Sequence, residues 1–127
     1  MENKDFSSLA VLILAGGLSQ RAGELKGLRM FSGKYWIERQ IEFYSKLKAG
    51  YIFTGLGYNY QEYLKSVPLL AESLDFSVIS VSSKIQTLIN PNPEMEMFST
   101  IINSLEKIID LPWKNLLLIH VDMACPS

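Results

Sequence analysis

The first strong pattern in the chain is an unbroken apolar run, residues 9–15, LAVLILA. Its length and β-branched content predict a strand buried on both faces. Gly16 and Gly17 end it abruptly, and a polar loop follows that carries Ser19, Arg21, Gly23 and Lys26. The eight residues before the run are polar and read as a lead-in. Ser32-Gly33 marks a turn. Over residues 34–48 the period becomes helical: Ile37, Ile41 and Tyr44 form a stripe, widened by Trp36, Phe43 and Leu47. Glu42 and Lys46 stand at ion-pair spacing on this helix, and Gly50 is placed to close it. Residues 51–54 read as a second short strand, ending in Gly55 and Gly57. Strand, loop, helix and strand make a βαβ unit with a right-handed crossover.

Residues 59–74 read as a second helix that Pro68 must kink or split. Two strand-like stretches follow, residues 76–82 and 85–89, separated by Ser83-Lys84. Pattern alone leaves open whether they form a hairpin or one interrupted strand. Asn90-Pro91-Asn92-Pro93 stops the chain in a loop. Phe98, Ile101, Ile102, Leu105, Ile108 and Ile109 then recur at helical spacing, with Pro112 just beyond. Residues 115–121, NLLLIHV, predict another fully buried strand that runs straight into Asp122. This alternation predicts an α/β fold, a Rossmann-like three-layer sandwich with a mainly parallel sheet. The expected strand order is 3-2-1-4, with ligands at the carboxyl ends of the strands near the switch point.

Composition narrows the functional classes. A chain of 127 residues fits a single domain. Its net charge of −1, with basic residues spread evenly, argues against a nonspecific nucleic-acid binder. A single cysteine, Cys125, excludes an internal disulfide, and with a single histidine it excludes the usual four-ligand zinc site. No apolar run approaches the ~20 residues of a membrane span. The start, MENKDFSS, lacks the basic lead of a signal peptide, so a cytoplasmic location is expected.

The first strand and its loop carry the candidate chemistry. Glycines let backbone N–H groups approach an anion, and Arg and Lys neutralise it, so the loop reads as a phosphate site. It is neither a P-loop nor the dinucleotide fingerprint, because neither GxxxxGK[ST] nor GxGxxG fits. Asp122 follows a predicted strand on the same edge. A carboxylate there can hold Mg²⁺ between nucleotide phosphates, since Mg²⁺ takes one or two carboxylates plus phosphate oxygens and water. His120 alternates with Asp122, but a lone His in an apolar strand is more often a core residue than a catalyst. Cys125 has no base partner in the sequence. Ser99 suits a helix start as well as it suits ligand binding.

The order Gly-Gly-x-Ser-x-Arg-x-Gly-x-x-Lys resembles the signature loop of the nucleotidyltransferases. The likeness is closest to the molybdenum cofactor guanylyltransferase and cytidylyltransferase group, which reads LAGGxSxRMGxDKxL and then GKPL. Leu14, Ala15, Gly16, Gly17, Ser19, Arg21, Gly23, Lys26, Leu28, Gly33 and Lys34 fall in step; Ala22, Leu25 and Tyr35 depart. VDM at 121–123 resembles the family's metal-binding VDxP segment, with Ala124 in place of proline. Asn90 and residues 97–101, MFSTI, resemble its N…GMFSS region, with Glu96 where glycine is usual.

The resemblance spans nearly the whole chain but only the amino-terminal half of the family's domain. It implies transfer of a nucleoside monophosphate from GTP or CTP to a phosphorylated small-molecule acceptor such as molybdopterin, with release of pyrophosphate. By the same resemblance Arg21 and Lys26 are the catalytic cations and Asp122 binds Mg²⁺. Leu14, Ala15, Gly16, Gly17, Ser19, Asn90 and Ser99, with Arg21 and Lys26, hold the nucleotide. No nucleic acid or membrane partner is implied. The alternative is a truncated nucleotide-binding remnant without turnover. Lys26-Gly27-Leu28 and Gly33-Lys34 lean towards the guanylyl type and MFST towards the cytidylyl type, so the base, the acceptor and the oligomeric state stay open.

Overall fold

The structure, a computed structural model, describes residues 6–15, 26–57, 60–74, 77–80, 83–91 and 96–121. Strand β1 (Leu9–Ala15) is the centre of the core, with residues 10–15 all buried. It lies between β4 (Tyr51–Leu56) and β7 (Asn115–His120), and both pairings are parallel. Beyond β4 runs β6 (Ser83–Ile89), also parallel, and beyond that β5 (Val78–Ser80), antiparallel. The sheet order is therefore β5-β6-β4-β1-β7. Its parallel strands, numbered among themselves, show the expected 3-2-1-4 order. The two strand-like stretches after Leu74 prove to be a hairpin, with Ser83 and Lys84 inside β6 rather than between strands.

Alternation along β1 sends its side chains into two cores. Val11, Ile13 and Ala15 join Ile52, Leu56, Ile85 and Ile119 on one face. Helices α1 (Trp36–Lys46), α2 (Tyr60–Ser66) and α3 (Pro68–Glu72) supply the cover, through Ile37, Ile41, Tyr44, Tyr63 and Leu70. Ala10, Leu12, Leu14, Phe53 and Leu88 face α4 (Glu96–Ile108) on the other side. Each fully buried Leu or Ile contributes roughly 1.5–3 kcal/mol, which makes these two layers the main source of stability.

Pro68 splits the second helix as expected. It occupies the first position of α3, where its missing N–H costs nothing, and buried Val67 separates α2 from α3. Three other features differ from the periodic reading. Helix α1 starts at Trp36, not Lys34, because β2 (Met30–Phe31) and β3 (Lys34–Tyr35) form a small hairpin. Its turn residues Ser32 and Gly33 both have positive φ, 51° and 84°. The left-handed residue after α1 is Lys48, at φ 62°, rather than Gly50. Gly50 serves a close approach instead: its N–H donates to the Phe6 carbonyl at 3.0 Å, and a Cβ would overlap the Ser7 carbonyl.

The line of α4 that meets the sheet also takes in polar positions beside the apolar stripe. Thr100, Ser104 and Ile108 are buried, whereas Ile102 and Ile109 are exposed. Gly55 explains the close approach. With no Cβ on β4 at that point the helix comes in close, and a Cβ would stand 2.9 Å from Ser104 Oγ. Finally, β7 is not fully buried. Among the described residues it pairs only with β1, and Leu117 and Leu118 stay 41% and 42% exposed, one on each face. Apolarity predicted burial, but an edge strand lies beyond the reach of the helical layers. No helix of the described residues is long and apolar enough to cross a membrane.

Candidate functional site

The carboxyl ends of the parallel strands make one rim: Ala15, Leu56, Ile89 and His120. The chain order reverses at β1, with β4 on one side and β7 on the other, so the switch point lies between β1 and β7. Leu14 and Ala15 sit there, both buried. Leu14 is paired with Gly55 and His120 in the two registers, and its carbonyl accepts the Val121 N–H at 2.9 Å.

Val121 is held from three directions at this point. Its carbonyl accepts the indole N–H of Trp36 at 2.9 Å, across 85 residues of sequence. Gly27 lies against its side chain: a Cβ at Gly27 would stand 3.0 Å from Val121 Cγ2 and 2.6 Å from the Tyr63 hydroxyl. Gly27 belongs to a short 3-10 turn, Lys26–Leu28, that follows the glycine-rich segment. The strand before that segment, the turn after it, and the residue before Asp122 therefore meet at one place. Gly16, Gly17, Ser19, Arg21 and Asp122 lie outside the described residues, as does the side chain of Lys26.

Asn90 and Ser99, also expected at the site, come together at the end of β6. The Asn90 amide donates to Ser99 Oγ and Thr100 Oγ1, both at 2.9 Å, and its backbone N–H donates to the Leu56 carbonyl at 2.8 Å. Asn90 is almost fully buried, so its amide ties β6 to the first turns of α4 and aligns that helix with the rim. Ser99 lies inside α4 and accepts from Asn90 rather than capping the helix start. His120 points to the α4 face, on the same side as Leu14.

The packing of Gly27 against Tyr63 and Val121, and the bond from Trp36 to Val121, are contacts that periodicity did not isolate. One signal was available for Trp36, because a partly buried indole N–H needs an acceptor. Among the described residues no group of three or more His, Cys, Asp or Glu could hold a metal. The charged cluster of Lys34, Glu42 and Lys46 stands apart, on the outer side of α1. There Lys34 bonds to Glu42 and holds its carboxyl below the usual carboxylate range, with Lys46 3.6 Å away adding to the effect.

In comparison with known proteins, a family model described as the MobA-like NTP transferase domain matches residues 11–127. No curated protein and no solved structure matches the chain.

Proposed function

The chain belongs to the MobA-like NTP transferase domain family, a nucleotidyltransferase family, and from that premise we propose that it transfers a nucleoside monophosphate from GTP or CTP to a phosphorylated acceptor such as molybdopterin. An oxygen of the acceptor phosphate bonds to the α-phosphorus of the NTP. The bond from that phosphorus to the β-phosphate oxygen breaks, and pyrophosphate leaves. Such transfers need positioning and charge neutralisation rather than a protein nucleophile. The observation that carries the reading is the Val121 N–H bonded to the Leu14 carbonyl at 2.9 Å. It supports a single site built from the glycine-rich segment and Asp122, because it joins the strand before the one to the residue before the other.

In this reading backbone amides from residues 15–18 meet the base and phosphates, while Arg21 and Lys26 neutralise the triphosphate. Asn90 and Ser99 align α4 at the nucleotide's edge, consistent with their bonds across the end of β6. One carboxylate at position 122 suits Mg²⁺, which takes one or two carboxylates and fills its remaining positions with phosphate oxygens and water. Asp122 would hold that ion, which when bound supplies charge neutralisation at the phosphates. Residues 1–127 act as one nucleotidyltransferase-like domain on this proposal.

The test is pyrophosphate release by the purified chain given molybdopterin, Mg²⁺ and either GTP or CTP. Release that requires the acceptor, with one NTP preferred, is the expected result. NTP binding without release would assign the chain to holding a nucleotide, and absence of both would overturn the proposal.

A further inference from the structure

Both main-chain polar groups of Val121 are taken. Its N–H donates to the Leu14 carbonyl and its carbonyl accepts the Trp36 indole N–H, each at 2.9 Å. Its side chain is buried. Val121 stands one residue past the end of β7, whose only partner strand among the described residues is β1. The first bond continues the ladder of the sheet. The second comes from a side chain of another layer, where the chain leaves the sheet for Asp122.

The indole is itself firmly held. Trp36 opens α1, and its main-chain N–H donates to the Arg29 carbonyl at 2.8 Å. The Phe31 ring stands edge-on to it, with centroids 5.3 Å apart and planes at 62°. Phe31 is fixed in turn, because Arg39 Nε of α1 donates to its carbonyl at 2.8 Å. The Glu38 carboxylate accepts the Tyr35 N–H at 2.9 Å and so pins the residue before the helix. Buried Ile37 and Ile41 lock α1 to the sheet. An apolar ring alone would fill this space; the N–H adds a directional bond to one carbonyl.

That carbonyl belongs to the peptide that joins Val121 to Asp122. The peptide is planar, so the indole bond fixes the plane from which Asp122 departs. Mg²⁺ demands near-ideal octahedral geometry, and removing a contact that orients a metal ligand costs about 10–100-fold in metal affinity. We propose, on the reading that Asp122 holds Mg²⁺ at the nucleotide, that Trp36 is a positioning residue for Asp122, its indole N–H setting the orientation in which the carboxylate meets an Mg·NTP complex.

The experiment replaces Trp36 in the whole chain with benzothienylalanine, whose sulfur stands where the N–H was, so that the ring and its contact with Phe31 are kept. Calorimetry reads GTP and CTP affinity with Mg²⁺ and with EDTA. The parent's affinity should rise with Mg²⁺, and the variant should lose about tenfold of that rise while its affinity in EDTA stays within about twofold. Trp36→Phe, which also lacks the N–H, should behave alike. An indole that only braced the fold would lower Tm in both variants and leave the Mg²⁺ rise intact. In the metal-free parent, the Trp36 indole proton should exchange with solvent at least ~tenfold more slowly than that of free tryptophan, a readout that needs neither nucleotide nor variant. A parent whose affinity ignores Mg²⁺ overturns the role of Asp122 and that of Trp36 with it. A parent that responds, with variants that respond equally, overturns the role of Trp36 alone, as does an indole proton that exchanges freely.

Discussion

Lys26, proposed to meet the triphosphate, and Gly27, packed against Tyr63 and Val121, each yield a prediction at the scale of one side chain. Lys26→Ala removes a point charge from the triphosphate, so NTP affinity should fall by roughly 1–3 kcal/mol, as for a charged hydrogen bond. Titration calorimetry with GTP and CTP reads this directly, and equal affinity for variant and parent would remove Lys26 from the site. Gly27→Ala acts through packing. Its Cβ would come within 2.6 Å of the hydroxyl of Tyr63, a side chain only 1% exposed, with Val121 Cγ2 at 3.0 Å leaving little room to retreat. Overpacking of this kind costs about 1–3 kcal/mol, seen as a lower Tm. Adding Tyr63→Phe removes the nearest atom and should recover part of the loss. Of the two residues only Lys26 stands out in the sequence, where it falls in step with a charged motif. Gly27 looks like spacing until the fold brings Tyr63 and Val121 to it from opposite directions in the chain.

Periodicity reports what an element is, not how many neighbours it has, and that distinction separates the readings that held from those that did not. The run of residues 9–15, the stripe of α1 and the break at Pro68 all follow from local rules, and each stands where it was expected. The start of α1 was misplaced because a two-residue strand such as β3 has no period to detect. Along α4 the stripe residues Ile101, Leu105 and Ile108 pack on the core as their spacing suggests, while Gly55, on another element, lets Thr100 and Ser104 come in close as well. Along α1 the charge pattern was legible, and Glu42 does pair with Lys46 at 3.6 Å and also with Lys34. Lys34 lowers the Glu42 pKa in the folded state. The associated stability is therefore present above the ordinary carboxylate pKa and lost as pH falls through the lowered one. Glu42 is partly exposed, so the effect is screened and stays below about 0.5 kcal/mol. Urea unfolding of Glu42→Gln should show that small deficit at pH 7, and it should vanish once the parent's carboxyl is protonated. A deficit that persists in acid would point to lost packing rather than lost charge.

Among the described residues the sheet has two unequal edges, and a prediction about solution behaviour follows from them. One edge is β5, three residues long and paired in a hairpin. The other is β7, six residues, NLLLIH, with no proline and no lysine along it. Leu117 and Leu118 each leave about two-fifths of their surface in water, on opposite faces of the strand. Among the described residues no strand pairs with the outer flank of β7, and an uncovered edge beside apolar surface invites another strand. The same buried-looking pattern that identified β7 as a strand concealed this, since apolar residues mark a strand whether or not both flanks are covered. The chain should therefore associate as its concentration rises. Leu117→Lys places a charge on the α1 face of the edge, where solvation opposes strand addition. The substitution touches a half-exposed position, so the stability of the single chain should change by no more than about 0.5 kcal/mol. Light scattering behind size exclusion, over a range of loading concentrations, compares the two. A lower average mass for the variant at equal concentration, with an unchanged Tm, places the association at β7. Identical mass profiles would move it elsewhere on the surface, with the exposed Ile102 and Ile109 of the α4 region next to examine.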